Sequence, residues 1–262
     1  MASPMVAART AAPQFDVWTT SPKKAKSPYG IPIIDECTNC SLRTDNFFCG
    51  LSEAALKALQ KIKHTTTYPT GAIIFMEGQP TRGIYILCQG RVKLQTTNSD
   101  GRTLILKIAQ PGEGLGLSST ITGKPYETTA EILQPAQLAY ISRIDFLRFM
   151  AEHSDACLHF VEHLGRDCHA AYELVRSIGL SESVSERLAR FLLEWSANGS
   201  VSNGLLRVKL ALTHQEMAQL IGTSRETVTR TLSEFKKQGI IELNGSTMIL
   251  RNKATLEELA AA

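Results

Sequence analysis

The sequence predicts an α+β protein in three successive parts: a small β-roll, one long helix and a C-terminal winged helix-turn-helix. Three observations predict this architecture. Between about residues 68 and 141, short segments rich in Ile, Leu, Val, Tyr and Thr alternate with glycines. A heptad spacing of apolar residues follows, which is typical of paired helices. Near the C-terminus, capping residues on either side of a glycine mark two short helices.

Residues 1–36 are predicted to form a disordered tail, because Pro, Ala, Ser, Thr and Lys dominate the first thirty of them. No apolar stretch there resembles that of a signal peptide. No apolar run elsewhere approaches the ~20 residues that a membrane-spanning helix needs. We therefore expect a cytoplasmic protein without a membrane partner, and the net charge of +3 adds little to that expectation.

Residues 37–145 are predicted to form the β-roll, together with a short helix at its start. Many short strands spaced roughly 8–12 residues apart favour a small barrel or sandwich. Asp100-Gly101 lies between two apolar runs and predicts a hairpin. Ser52 is placed to cap the helix that runs to Ile62.

Residues 146–180 are predicted to form a dimerisation helix. From Cys157 onward, apolar and cysteine side chains recur at alternating spacings of four and three over three heptads. Two helices with this period wrap around each other along a shared stripe, so the sequence predicts a homodimer. An amphipathic helix lying on its own sheet is the alternative. The predicted interface comprises Val161, Leu164, Cys168, Ala171, Val175 and Ile178.

Residues 181–262 are predicted to form a DNA-binding domain. Thr213 and Glu216 have the spacing of a capping box, which begins a helix. Gly222 follows that helix, where the tight turn of a helix-turn-helix favours a residue without a Cβ. Ser224 then caps a second helix, and Asn244-Gly245 predicts a type I′ hairpin that would form the wing.

The second helix of this pair carries polar residues opposite a buried stripe that includes Val228 and Leu232. A helix that enters the major groove with its N-terminus presents such residues to base edges. Arginine donates two hydrogen bonds to guanine, and glutamate accepts one from cytosine. Residues 184–253 hold ten basic and six acidic side chains, a surplus that attracts a polyanion. The predicted DNA contacts are Thr213, Ser224, Arg225, Glu226, Thr229 and Arg230.

The segment 212–250 resembles the DNA-binding domain of the CRP/FNR family of bacterial transcription regulators. The phrase Gly222-Thr-Ser-Arg-Glu-Thr-Val-Thr-Arg230 carries the resemblance most specifically. It extends upstream to residue 37 through Pro69-Thr-Gly71, Ile84-Tyr-Ile-Leu-Cys-Gln-Gly90 and Gly112-Glu-Gly-Leu-Gly116.

This resemblance implies a cyclic-nucleotide-binding-type β-roll, a dimerisation helix and a winged helix-turn-helix, in the order predicted from the residues. It also implies that Arg225, Glu226 and Arg230 occupy base-contacting positions, in an arrangement closer to the catabolite-activator branch than to the oxygen-sensing branch. The expected partners are double-stranded DNA, a second copy of the chain and RNA polymerase.

Cyclic AMP is not expected as the ligand of the roll. Family members that bind it have a glutamate for the ribose and an Arg-Ser pair for the phosphate. Here Leu117 aligns with that glutamate, and Glu127-Thr128 aligns with the Arg-Ser pair. A carboxylate repels a phosphate, although Gly114 and Gly116 still permit a nest of backbone N–H groups.

Three N-terminal cysteines resemble those with which the oxygen-sensing branch holds a [4Fe–4S] cluster. Two departures count against a cluster: eight residues separate Cys40 from Cys49, and the family's fourth cysteine aligns with Ala139. Cys88 or Asp45 is the candidate replacement. A zinc site and plain thiols, either inert or redox-active, are the alternatives. The candidate metal ligands are Cys37, Cys40, Cys49 and Cys88.

Other functions are less consistent with the residues. His159 and His163 share a face of the long helix, but the heptad places them on its outer side, so we expect solvated histidines and no haem. A cupin-like metalloenzyme needs histidines in its strands, and none occurs between Thr65 and His153. The sequence therefore predicts no enzyme. A dimeric adaptor that binds protein in place of DNA is a further alternative, which substitution of Arg225 would test.

Overall fold

The computed structural model describes residues 27–40, 48–179, 183–197, 199–202 and 205–261. Residues 27–36, part of the predicted tail, lie against the roll. The Ile34 N–H donates to Gln137 Oε1 at 2.9 Å, and Gln137 Nε2 donates to the Ile34 carbonyl at 2.6 Å. Composition alone cannot show this anchorage, because the glutamine that provides it lies about a hundred residues further along the chain.

The roll is built from six strands and two short helices. They are α1 (Glu53–Ile62), β1 (His64–Tyr68), β2 (Ile73–Phe75), β3 (Gly83–Thr97), β4 (Thr103–Ala109), β5 (Gly114–Leu115), α2 (Leu117–Thr122) and β6 (Thr129–Ser142). The strands form an antiparallel sheet in the order β1-β6-β3-β4, with β2 paired to β6 and β5 paired to β3. The long ladder between β3 and β6 is its centre.

The predicted hairpin at Asp100-Gly101 is confirmed between β3 and β4. Asn98 Oδ1 accepts the N–H groups of Asp100 and Arg102 at 3.1 and 2.9 Å. Gly101 has a φ of 78°, in the left-handed region that favours glycine. The turn residues therefore set the register at this end of the sheet.

Helix α1 closes one end of the roll. The Ser52 hydroxyl accepts the Ala55 N–H at 3.3 Å, as predicted for an N-cap. The helix buries Leu56 and Leu59 in the core that also contains Phe146, which lies in the helix after β6. Each such leucine contributes roughly 1.5–3 kcal/mol when it leaves water.

The stretch predicted as one long helix is two helices, α3 (Arg143–Glu152) and α4 (Ser154–Gly179). His153 separates them because its backbone is extended, with φ −125° and ψ 93°. Phe146 and Phe149 of α3 are buried in the roll, so α3 packs as part of that domain. The helix that carries the heptads therefore begins at Ser154 and not at residue 146. No helix in the described ranges is long and apolar enough to cross a membrane.

The C-terminal domain combines four helices with a four-stranded antiparallel sheet. Its elements are α5 (Val184–Ser196), β7 (Ser200–Ser202), β8 (Leu205–Lys209), α6 (His214–Ile221), α7 (Arg225–Lys237), β9 (Ile241–Asn244), β10 (Thr247–Leu250) and α8 (Lys253–Ala261). The sheet order is β7-β8-β10-β9. Helix α8 was not among the predicted elements; it packs on α5 and buries Leu256.

The wing is the hairpin of β9 and β10, as predicted, but its turn lies one residue later. Asn244 pairs with Thr247, so Gly245 and Ser246 form the two-residue loop. Gly245 has a φ of 59°, whereas Asn244 is the last residue of its strand. The glycine therefore occupies the first loop position, where a positive φ is needed.

The roll and the C-terminal domain are in direct contact. The Arg91 guanidinium lies 4.6 Å from the centre of the Trp195 ring, within the range of a cation–π interaction. Lys93 Nζ lies 3.1 Å from a carboxylate oxygen of Glu131 and 4.0 Å from one of Glu216. Since Glu216 is in α6, these contacts place the helix-turn-helix against the sheet of the roll.

Candidate nucleic-acid interface and thiol pocket

The turn between α6 and α7 is fixed by local hydrogen bonds. Gly222 has a φ of 66°, and the following N–H, of Thr223, donates to the Ala218 carbonyl at 2.9 Å. Ser224 then begins α7, because its hydroxyl accepts the Thr227 N–H at 3.2 Å. The glycine turn and the second N-cap predicted from the sequence are both confirmed.

The capping box that begins α6 is also confirmed. Thr213 Oγ1 accepts the Glu216 N–H at 3.1 Å, and Glu216 Oε2 accepts the Thr213 N–H at 2.8 Å. The hydroxyl of Thr213 further donates to Glu216 Oε2 at 2.9 Å. Thr213 and Ser224, which the sequence predicts as DNA contacts, therefore use their hydroxyls to form helix caps.

Helix α7 has one buried face and one exposed face. Val228, Leu232 and Phe235 are at most 3% exposed and join the core of the domain. The opposite face holds the predicted base-contacting residues. Within the described residues, neither guanidinium on that face has an ion-pair or hydrogen-bond partner. The exposed set comprises Ser224, Arg225, Glu226, Thr229 and Arg230.

Two members of this exposed face are held by neighbouring groups. Thr229 Oγ1 lies 2.8 Å from His214 Nδ1 of α6 and donates to the Arg225 carbonyl at 2.9 Å. Hydrogen bonds from its own backbone N–H and from the Ser224 hydroxyl lower the pKa of Glu226. The carboxylate of Glu226 is therefore ready to accept a hydrogen bond, beside arginines that only donate.

The wing contributes a cation that is already paired. Arg251 Nε donates to Glu242 Oε2 at 2.8 Å, which lowers the pKa of Glu242. At the end of α7, Lys236 and Lys237 lie in the last turn, where cations suit the helix dipole. The cations best placed to contact a partner are thus those at the start of α7.

The heptad residues of α4 form an exposed apolar stripe, which we call the α4 stripe: Cys157, Val161, Leu164, Cys168, Ala171, Val175 and Ile178. Val161 is 58% exposed and Val175 is 69% exposed. Ala156 and Phe160, by contrast, are buried against the roll. Helix α4 therefore packs on the roll through one face and leaves the α4 stripe uncovered.

His163 is buried, which contradicts the prediction that the helix histidines are solvated. It is 2% exposed, and its Nε2 lies 3.7 Å from Asp167 Oδ2. Asp167 Oδ1 in turn lies 2.6 Å from Lys107 Nζ, and Lys107 Nζ lies 3.1 Å from a carboxylate oxygen of Glu113. Burial lowers the pKa of His163. The heptad pattern describes only the helix, so it could not show that Lys107 of β4 pairs with Asp167 on this side.

All four candidate metal ligands line one small apolar cavity, which we call the thiol pocket. Cys88 reaches it from β3, and Ala139, aligned with the family's fourth cysteine, also lines it. The sheet explains this proximity, because Ile86 and Leu87 of β3 pair with Ala139 and Leu138 of β6. The lining residues include Cys37, Cys40, Cys49, Cys88, Lys63 and Ala139.

The four thiols are not equivalent. Burial raises the pKa of Cys88 to about 12. Lys63 Nζ, by contrast, lies 3.1 Å from Cys37 Sγ. The pocket has a volume of about 30 Å³, and within the described residues no group of three or more His, Cys, Asp or Glu side chains is arranged to hold a metal ion. Asp45, the other candidate fourth ligand, lies outside the described residues.

The loop that aligns with the family's phosphate site carries an acceptor. Glu127 Oε1 accepts a hydrogen bond from the Ser118 hydroxyl at 2.9 Å. Leu117, at the position of the family's glutamate, is buried. Tyr126 stacks on Phe75 with 4.0 Å between ring centres, so aromatic rings fill this side of the roll.

Comparison with known proteins assigns both ends of this architecture. Residues 65–153 match the cyclic nucleotide-binding domain family, and residues 186–259 match the Crp-like helix-turn-helix domain family. A CRP-like cAMP-activated global transcriptional regulator of Mycobacterium tuberculosis is 28% identical over 214 residues, which cover 81% of this chain and 95% of the relative. The nitrogen fixation regulation protein FixK of Bradyrhizobium diazoefficiens is 26% identical over 227 residues, covering 86% and 94%.

Solved structures agree. FixK2 from Bradyrhizobium japonicum has a TM-score of 0.68 at 25% identity, covering 77% of this chain and 98% of that one. A sensor roll of the cyclic-nucleotide-binding type followed by a helix-turn-helix defines a DNA-binding transcription regulator, which is not an enzyme. The chain belongs to the CRP/FNR family of these regulators.

Proposed function

We propose that this regulator reads a specific DNA sequence through Arg225, Glu226 and Arg230 at the start of α7. One observation carries the proposal: on an exposed face whose opposite side is buried in the domain core, two guanidinium groups lie beside a carboxylate, and neither has a hydrogen-bond or ion-pair partner among the residues that the structure describes. An unpaired arginine is available to form a bidentate bond with guanine O6 and N7, and glutamate accepts from cytosine N4. Thr229 lies between them and is held by His214.

The regulator acts as a homodimer in which two copies of the α4 stripe cover each other. The stripe is apolar, keeps its heptad spacing and is exposed in the single chain. A dimer with two-fold symmetry presents two copies of α7, so it binds a palindromic site whose half-sites lie about one helical turn apart. RNA polymerase is the further partner of such a regulator, and the cytoplasm is its compartment.

Selection of bound sequences from random duplexes tests this proposal. The full-length protein should enrich inverted repeats, whereas a variant with Arg225→Ala should enrich none. Lys237→Ala provides the matched control, because Lys237 is a cation at the other end of the same helix. Enrichment of single half-sites would contradict the dimer, and equal enrichment by wild type and Arg225→Ala would contradict base reading by Arg225. A wild-type protein that enriches no sequence would favour an adaptor.

For the sensor, we propose that the thiol pocket holds an iron–sulfur cluster, with Cys88 in place of the cysteine that Ala139 replaces. The donor chemistry fits, because four thiols line one pocket and thiolates are the usual ligands of such clusters. The pocket has the volume of about one water molecule, so the thiols must move apart when a cluster binds. When bound, the cluster supplies redox chemistry that responds to oxygen.

The chain's own residues then have defined tasks. Cys37, Cys40, Cys49 and Cys88 would hold the group, and the ammonium of Lys63, which lies beside Cys37, would offset the negative charge of the thiolates. Gln60 holds the cysteine segment, since its Oε1 accepts the Cys37 N–H at 3.1 Å. This segment leads into α1, which packs on the roll, so a change in the pocket reaches the sensor domain.

Strictly anaerobic purification followed by an absorbance spectrum and assays of iron, sulfide and zinc tests the pocket. Cys88→Ala should lose the metal, whereas Cys157→Ala, an exposed cysteine on α4, should keep it. Zinc without iron would identify a zinc site. Metal-free wild-type protein would leave plain thiols, and it would not affect the DNA-binding proposal.

A further inference from the structure

Cys168 lies in the middle of the α4 stripe, between Leu164 and Ala171. In the single chain its side chain is exposed, and its interaction with the Tyr172 hydroxyl one turn later raises the pKa of Tyr172. Cys157 is the next cysteine along the helix, but eleven residues at a rise of 1.5 Å separate the two by about 16 Å. Because a disulfide requires Cα atoms less than about 7 Å apart, Cys168 has no partner for a disulfide within this helix.

A second copy of the chain changes that geometry. In a parallel pair of helices with heptad packing, each residue of the seam faces its own copy. The helix axes lie about 8–10 Å apart, and each Cα lies about 2.3 Å from its axis. Cα atoms that face each other directly are therefore separated by roughly 3.4–5.4 Å, which overlaps the range of about 4.4–6.8 Å found in disulfides.

We propose that Cys168 and the same residue of a second copy form an intersubunit disulfide when the dimer meets a peroxide. This proposal rests on the proposed dimer, because the bond needs both copies. Tyr172 lies one turn after Cys168 and is itself exposed, so it flanks the seam. The site is distinct from the thiol pocket, whose four cysteines lie in the roll and in the segment before it.

The chemistry balances with hydrogen peroxide as the only oxidant. One Cys168 thiolate attacks a peroxide oxygen, which gives a sulfenic acid and releases hydroxide. The second thiolate attacks the sulfur of the sulfenic acid, so the S–S bond forms and a second hydroxide leaves. The two protons of the original thiols convert both hydroxides to water. A dithiol reductant reverses the reaction.

The consequence for the regulator is a dimer that no longer dissociates on dilution. When one copy of α7 of a linked pair is bound to DNA, the second copy stays at a high local concentration. An unlinked pair separates when the protein concentration lies below the dissociation constant of the dimer. Oxidised protein should therefore bind its DNA site about tenfold or more tightly than reduced protein in assays at low protein concentration. The two forms should bind equally once the protein is concentrated enough to be fully dimeric.

The test uses full-length protein, first reduced and then treated with a small excess of hydrogen peroxide. Non-reducing gels should show a covalent dimer that dithiothreitol removes, and peptide mapping should find the Cys168 peptide joined to its own copy. Cys157→Ser should keep this product, whereas Cys168→Ser should lose at least about nine-tenths of it. Sedimentation of each reduced variant reports whether the dimer is present before oxidation.

The possible outcomes separate this inference from the dimer itself. Reduced protein that sediments only as a monomer would overturn both proposals. A reduced dimer that yields no Cys168-to-Cys168 peptide would overturn the disulfide and leave the dimer standing. A covalent dimer that persists in Cys168→Ser would also overturn the assignment, because another cysteine would then form the bond.

Discussion

Helices α4 and α7 are both amphipathic, but they leave opposite faces exposed. Helix α7 buries Val228, Leu232 and Phe235 in its own domain and presents charged side chains to solvent. Helix α4 buries a few residues against the roll and presents valines and leucines, with Val161 58% exposed and Val175 69% exposed. Within one chain, α7 buries its apolar face, whereas α4 leaves an apolar face exposed.

This difference indicates what each helix contacts next. Apolar surface gains about 25 cal/mol per Å² when it leaves water, so the α4 stripe gains from a second apolar stripe. Exposed arginines are well solvated, and they gain chiefly from a partner that supplies fixed negative charge and hydrogen-bond acceptors. The comparison therefore supports the proposal that α4 contacts a second chain and that α7 contacts DNA. The first two of the four predictions below test that proposal, and the other two test the packing of α4 on the roll and the ligand of the roll.

The largest effect is expected from Val175→Glu. Dimerisation would bury one uncompensated carboxylate from each copy, at a cost of about 3–5 kcal/mol for a buried unpaired charge. Sedimentation should show a monomer, and binding to palindromic DNA should be lost with it. His169→Glu adds the same charge to an exposed position outside the stripe and should leave the dimer intact. A stable Val175→Glu dimer would remove the assignment of α4 to dimer contact.

A smaller effect is expected from Arg230→Ala. Loss of a bidentate contact to a base should weaken binding to the selected site by about 1–3 kcal/mol in each half-site. Binding to random DNA should change little, since backbone contacts dominate there. Lys237→Ala is the matched loss of charge, and it should weaken both duplexes by similar factors. Fluorescence anisotropy with both duplexes measures the difference, and equal losses for Arg230→Ala would argue against base reading.

The pH dependence of stability tests the side of α4 that faces the roll. Burial lowers the pKa of His163, with Lys107 and Arg166 acting in the same direction and Asp167 and Glu113 opposing them. Below pH ~6.5 the unfolded chain binds a proton that the native histidine resists, so stability falls as the pH drops from there towards the native pKa. Urea unfolding should show that the free energy of unfolding falls less at acidic pH for His163→Leu than for wild type. His169→Leu, at an exposed position, should show the same fall in the free energy of unfolding at acidic pH as wild type.

The smallest effect is expected from cyclic AMP. Glu127 presents a carboxylate at the position that aligns with the family's phosphate-binding arginine, and the neighbouring Tyr126 stacks on Phe75. A ligand shifts an equilibrium only through its different affinity for the two states. Saturating cyclic AMP should therefore change DNA affinity by less than about twofold, or ~0.4 kcal/mol. Saturable binding at micromolar concentration in calorimetry would show that the roll accepts the nucleotide after all.

Local hydrogen bonds made the DNA-binding half predictable from sequence. The capping box at Thr213, the glycine turn at Gly222 and the cap at Ser224 each depend on residues within a few positions of one another. The wing followed from the same kind of signal, although Asn244 belongs to the strand and the turn begins at Gly245. Sequence reasoning therefore located these elements to within about one residue.

Features that depend on distant residues were harder to predict. His163 is buried on the side of α4 where Asp167 pairs with Lys107 of β4, and a heptad pattern contains no information about β4. Cys88 reaches the thiol pocket through the pairing of β3 with β6, so the sequence indicated it only as one of two candidate fourth ligands, the other being Asp45. The break at His153 was missed because α3 and α4 are both helical on either side of a single extended residue.

Gly222 has a consequence that extends beyond its turn. A methyl group built at this position would lie 3.4 Å from Ile178 Cδ1 and 3.9 Å from Leu104 Cδ1. Three parts of the molecule therefore meet at Gly222: the last residue of the α4 stripe, strand β4 of the roll and the turn that precedes α7. Ile178 is part of the α4 stripe, and it also lies beside the turn between α6 and α7. In the proposed dimer, a shift of Ile178 would therefore act directly on the turn that precedes α7.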